Sequence, residues 1–161
     1  MGCRSVCLWM CWLTMGLAAL AAGCEKTIVE QMVDVFEQMG ETQAQGFEDM
    51  VDIVAEFPDA CALAVRKSQE VQKATNSQVD ALFRKYLELK RQMDQKQLNQ
   101  AQDEGKRAFR EAVGEMQATV SSNSQDLDMF MKSCPDEQVM TIGEMMAWFQ
   151  GSLEERFFNE W

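Results

Sequence analysis

The sequence predicts an all-α protein: an up-and-down bundle of four or five main helices behind an N-terminal signal peptide. Three observations lead there. Only two prolines, Pro58 and Pro135, interrupt 161 residues. Leu, Met, Ala, Gln, Glu and Lys dominate, and their rotamers survive in a helix at small entropic cost. Apolar residues also recur at three- and four-residue intervals, the period that lines one helix face.

The first helical stretch is EKTIVEQMVDVFEQMGETQAQGFEDMVDIVAEF. Val29, Phe36, Met50 and Phe57 share one heptad position, and Met32, Met39 and Ile53 share its partner. The phase runs through the polar GETQAQG segment, which allows one long helix or two broken between Gly40 and Gly46. Pro58 ends the stretch, because the residue before a proline avoids the α region. The second stretch carries Cys61, Val65, Val71, Leu82, Phe83, Tyr86, Leu89 and Met93. Its stripe thins at Ala74–Ser77, where Ser77 and Asp80 have the spacing of a capping box that would restart the helix. From Gln92 to Gly105 the chain is almost wholly polar and reads as a long turn or a protruding helical hairpin tip. The stripe resumes at Ala108, Phe109, Ala112, Val113, Met116 and Val120. Ser121–Ser124 reads as a loop. A short helix with Leu127, Phe130 and Met131 ends at Cys134–Pro135. Thr141 and Glu144 then have capping-box spacing, opening a final helix with core residues Ile142, Met145, Met146, Phe149, Leu153 and Phe157.

The N-terminus has a different character. Arg4 precedes a run from Val6 to Ala22 without a charge, the length of a signal-peptide core plus its cleavage segment. It ends in Ala21-Ala22-Gly23-Cys24, which resembles the lipobox of bacterial lipoproteins, although Ala21 stands where that motif most often has Leu. The resemblance implies cleavage before Cys24 and a diacylglyceryl group on its thiol. It makes residues 1–23 a lipoprotein-type signal peptide and 24–161 a single acidic domain anchored to a membrane through Cys24. The location implied is a bacterial cell envelope, with Glu25 resembling the class sorted to the outer membrane facing the periplasm. The alternative is secretion after a cut behind Ala19-Leu20-Ala21.

Cysteine usage fits export. Cys3, Cys7 and Cys11 would leave with the leader. With lipid on Cys24, Cys61 and Cys134 remain as an even pair in an oxidising compartment, and a disulfide between them is expected.

Charge narrows the function. The net charge is −11, against the basic footprint that nucleic acid demands. Glu25–Asp59 holds ten acids and one base, Ala60–Glu115 eleven bases and eight acids, and Met116–Trp161 eight acids and two bases. This order predicts base-rich central helices packed between acidic terminal ones. The chain has no histidine, which removes Ser-His and Cys-His catalysis and His-ligated zinc or haem. No phosphate loop, calcium loop or paired CxxC occurs. Glu48, Asp49, Asp52 and Glu56 read as solvated surface. The thirteen methionines read as core filling, and Met129 and Met131 point about 200° apart on a helix, too divergent to chelate copper together. No catalytic residue, metal site or cofactor is expected.

The C-terminal RFFNEW is the remaining oddity. Phe158 and Trp161, with Trp148 upstream, form a candidate surface for protein contact. The function expected is binding or scaffolding through an unknown protein partner. The alternative is a carrier of an apolar ligand or lipid in a Met- and Phe-lined core.

Overall fold

The computed structural model describes residues 26–114 and 116–158. All regular structure among them is helical: α1 (Ile28–Glu56), α2 (Cys61–Lys90), α3 (Gln95–Val113), α4 (Met116–Ser122), α5 (Ser124–Ser133) and α6 (Asp136–Phe158). α2 returns antiparallel to α1, with Tyr86 beside Phe36 and Thr75 beside Gly46. α3 then runs parallel to α1, with Gly105 at Phe36 and Phe109 at Gly40. α4 and α5 continue this third leg to Cys134, and α6 returns so that Phe149 meets Phe47. The expected up-and-down bundle is therefore present, its third leg broken into three pieces. Among the described residues no helix is long and apolar enough to cross a membrane.

α1 is one helix, and the two glycines that left this open explain why. Gln43 and Gly46 occupy the two seam positions in the middle heptad and both are buried, so the seam runs unbroken from Val29 to Phe57. A Cβ at Gly40 would lie 2.8 Å from that of Ala112 and 3.0 Å from the Phe109 carbonyl oxygen. One at Gly46 would strike Thr75 Oγ1 and sit 2.9 Å from the Phe149 ring. The glycines let neighbouring helices approach; packing outweighs their weak helix propensity. At the N-terminus Thr27 Oγ1 accepts the Glu30 N–H at 3.2 Å, and the Glu30 carboxylate accepts the Thr27 N–H at 2.7 Å. This reciprocal pair satisfies two donors that the helix leaves unpaired.

Four sequence expectations are corrected. α2 does not restart at Ser77 and Asp80: the thin stretch lies inside the helix, where Thr75 is the small residue that fits Gly46. The polar segment from Gln92 is not a long turn but the helical side of a hairpin. Only residues 91–94 turn, after which Asp94 accepts the Gln97 N–H at 2.8 Å while Gln97 Oε1 accepts the Asp94 N–H at 3.1 Å. α3 starts there and buries Ala101, Gly105 and Phe109. The loop expected over Ser121–Ser124 shrinks to Asn123, whose Nδ2 donates back to the Thr119 carbonyl at 3.0 Å. Thr141 does not open the last helix. α6 begins at Asp136 behind Pro135, and Thr141 Oγ1 donates to the Glu137 carbonyl at 2.8 Å inside it.

The charge layout is corrected as well. Acidic α1 packs against both α2 and α3, so the acid-rich helix sits between the base-rich ones.

The core has two lobes along α1. At the hairpin end Met32, Val35, Phe36 and Met39 pack with Val79, Tyr86, Leu89, Ala101 and Phe109. Phe36 meets Tyr86 edge-on at 5.7 Å and Phe83 stacks on Tyr86 at 5.6 Å, arrangements that suit aromatic quadrupoles. At the other end Phe47, Met50, Val51 and Val54 pack with Met116, Leu127, Phe130, Ile142, Met145 and Phe149. Val113 touches both lobes. Between them Gln43 Nε2 donates to the Phe149 carbonyl, while Gln43 Oε1 is buried with no partner among the described residues. A buried polar residue in a seam position fixes register at some cost in stability.

Candidate functional site

Two places carry functional information: the end closed by Cys61 and Cys134, and a groove midway along α1.

Cys61 opens α2 and Cys134 follows α5, each beside a proline-marked helix end. The two form a disulfide across 73 residues of sequence, with Cα atoms 5.6 Å apart. Cys134 is buried in the core and Cys61 packs against it. The expected pairing is present.

The other sequence candidates fall as follows. Trp148 is half-buried, edge-on to Phe149 at 4.8 Å and packed on the disulfide-end core. Phe158 is the last residue of α6, and its side chain lies outside the described residues, as do Trp161 and Cys24. The structure therefore brings Trp148 to the bundle and leaves its association with the other two aromatics undescribed. Most described methionines fill the core: Met32, Met39, Met50, Met116 and Met145 are buried, and Met93 and Met146 pack against it. Met129, Met131 and Met140 are exposed, at 47%, 54% and 64%. Met129 and Met131 flank buried Phe130, as expected from their angular separation.

The groove was not read from the sequence. It has a volume of about 590 Å³ and lies between α1 and the junction of α3 with α4. On the α1 side it is lined by Glu41, Ala44, Gln45 and Glu48, with Gln78 of α2 beside them, and on the other side by Ala112, Met116 and Thr119. The spacing 41, 44, 45, 48 is that of a single helix face. Glu41, Gln45 and Glu48 are exposed, Ala44 and Ala112 half-buried and Met116 buried. The result is a small apolar strip with two carboxylates along its α1 side and only uncharged groups on the other. Gln45 Nε2 donates to Asp49 at 2.8 Å. Neither Glu41 nor Glu48 makes an ion pair among the described residues. The signal that could have found the groove is a pair of alanines, Ala44 and Ala112, but alanine also occurs throughout ordinary helices. Only the tertiary offset between helices distinguishes them.

The perturbed titrations lie elsewhere, at the start of α1. The hydrogen bond to Asp34, 2.5 Å away, holds the Lys26 ammonium above its ordinary value. The backbone N–H of Thr27 holds the Glu30 carboxyl below the usual carboxylate range. Both belong to the helix start.

Among the described residues no group of three or more His, Cys, Asp or Glu side chains is arranged to hold a metal ion. Comparison with protein-family models, with curated proteins and with solved structures found no match.

Proposed function

We propose that the chain is a lipid-tethered helical module of a bacterial envelope that acts by binding another protein. The observation that carries this reading is the disulfide between Cys61 and Cys134. It accounts for both cysteines that follow the leader except Cys24, and it fits an oxidising compartment. Cys24 then stands at the end of a leader whose run from Val6 to Ala22 is uncharged, three residues before the Thr27 cap. A lipid there attaches directly to the base of α1 with almost no linker. The absence of histidine from the sequence removes the commonest general acid–base group.

The test is intact mass of the membrane-extracted protein with and without reductant, together with cross-linking in cells. Cleavage before Cys24, an acyl mass increment and two extra hydrogens on reduction are expected, with one recurring cross-linked protein. An unmodified Cys24 behind a retained leader would overturn the tether. A chain that stays alone under cross-linking would overturn the binding role.

A further inference from the structure

The groove and the outer face of α1 belong together. Glu30, Asp34, Glu37, Glu41, Glu48, Asp52 and Glu56 follow one another at helical intervals, and Gln45 fills the gap within the groove. All are exposed except half-buried Asp34. The stripe spans 27 residues, about 39 Å of helix. α1 itself contains no Lys or Arg, and Lys26 just before it is engaged with Asp34. The groove opens in this stripe because α3 ends. At Gly40 the two helices approach as closely as their backbones allow. At Gly114 the helix stops and α4 begins anew at Met116. The space beside Ala44 is left between the diverging walls.

Resting on the binding reading above, we propose that this groove receives a cationic amphipathic helix of a partner protein. A small apolar stripe on that helix lies on Ala44, Ala112 and Met116, and flanking Lys or Arg side chains reach Glu41 and Glu48. Three features select this partner. The apolar floor is wasted on a plain polycation. Glu41 and Glu48 lie about 10 Å apart, two turns of helix, which matches anchors one heptad apart on a docked helix. The acidic stripe runs well beyond the groove in both directions, so it steers an extended partner and not a small organic cation. An anionic membrane or nucleic acid is repelled by the same stripe.

The test uses the full-length protein in micelles and a fluorescent synthetic helix of about 18 residues with an alanine stripe between lysines. Two controls accompany it: the same helix with glutamate for lysine, and a Gly/Ser/Lys peptide of equal charge without the stripe. Fluorescence anisotropy reads binding, and far-UV circular dichroism checks that each variant keeps its helicity. The expected result is binding of the Ala/Lys helix alone. Glu41→Lys with Glu48→Lys, and separately Gln45→Trp to fill the groove, each weaken it at least about tenfold. Glu56→Lys, on the stripe but outside the groove, weakens it less than about threefold. No binding of the Ala/Lys helix, equal binding of the Gly/Ser/Lys peptide, or a Gln45→Trp protein that binds like the original overturns the proposal. Any of these leaves the tethered module standing if cross-linking in cells captures a partner on another face.

Discussion

The two ends of the molecule are held by different means. At the hairpin end two helices begin there, α1 and α3, and each opens with a reciprocal capping box, at Thr27 with Glu30 and at Asp94 with Gln97. Between them lies an aromatic core of Phe36, Tyr86 and Phe109. At the opposite end the helix starts are poorer. Ala60 offers α2 no side-chain cap, and Asn123 gives none to α5. There the disulfide joins the uncapped start of α2 to the end of α5. Local hydrogen bonds define one end, and a covalent bond between distant positions defines the other. An end whose segments are short and broken, as α4 and α5 are, gains most from a link that limits the unfolded chain.

The largest expected effect tests that contrast directly. Replacing both bridged cysteines by serine should cost about 4 kcal/mol in the chain-entropy account of a loop this long, read by denaturant titration. Hydrogen exchange should then speed up in α4, α5 and the start of α6 while the pairing of Phe36 with Tyr86 keeps its protection. Equal loss at both ends would show that the two lobes unfold as one.

A smaller effect concerns the hairpin end. A Cβ at Gly105 would crowd the buried Phe36 ring, with its Cγ only 2.7 Å away, whereas one at Gly143 in α6 would meet nothing within 4 Å. Gly105→Ala should therefore destabilise by about 1–3 kcal/mol through overpacking. Gly143→Ala should stabilise by about 0.5–1 kcal/mol, because alanine is the better helix former. Thermal unfolding of the two proteins checks the opposite signs. If both stabilise, the close packing at Gly105 is not what holds α3 on α1.

The smallest effect lies at the first cap. Thr27→Ala should cost about 1 kcal/mol. The box also depends on pH. Glu30 has a folded pKa below its unfolded one. Its contribution is complete above the unfolded value, about pH 4.3, and is lost as pH falls through the lower folded value. Amide exchange at the start of α1 should rise in that acidic window, with the Cys61–Cys134 end unaffected. A uniform response along the chain would deny the cap its local role.

How far the sequence disclosed this follows from which signals are local. The all-α class, the ends at Pro58 and Pro135 and the cysteine pair were legible, because proline geometry and cysteine parity need no neighbours. The seam of α1 was legible too, once Gln43 and Gly46 are allowed as members. The capping signals misled. Ser77 with Asp80 and Thr141 with Glu144 have the right spacing yet lie inside helices, while Asp94 with Gln97 works from within a polar run. A capping box acts only where the chain actually leaves the helix, and that is decided by packing. The first half of α3 escaped notice because its contact residues, Ala101 and Gly105, are small enough to read as polar surface. The groove escaped for the same reason: Ala44 and Ala112 matter through the space they leave empty.

The length of α1 acts as a ruler. Its 29 residues span about 43 Å. Were Cys24 lipidated as proposed, the start of α1 and the hairpin turn at residues 91–94 beside it would be the part of the bundle nearest the headgroups. With α1 upright on that tether, Glu41 and Glu48 would stand about 20 to 30 Å above the bilayer, and the exposed methionines of α5 and α6 would lie toward the far end. A partner embedded in the same leaflet would have to project a segment that distance to reach the groove, whereas one arriving from the aqueous side meets it directly.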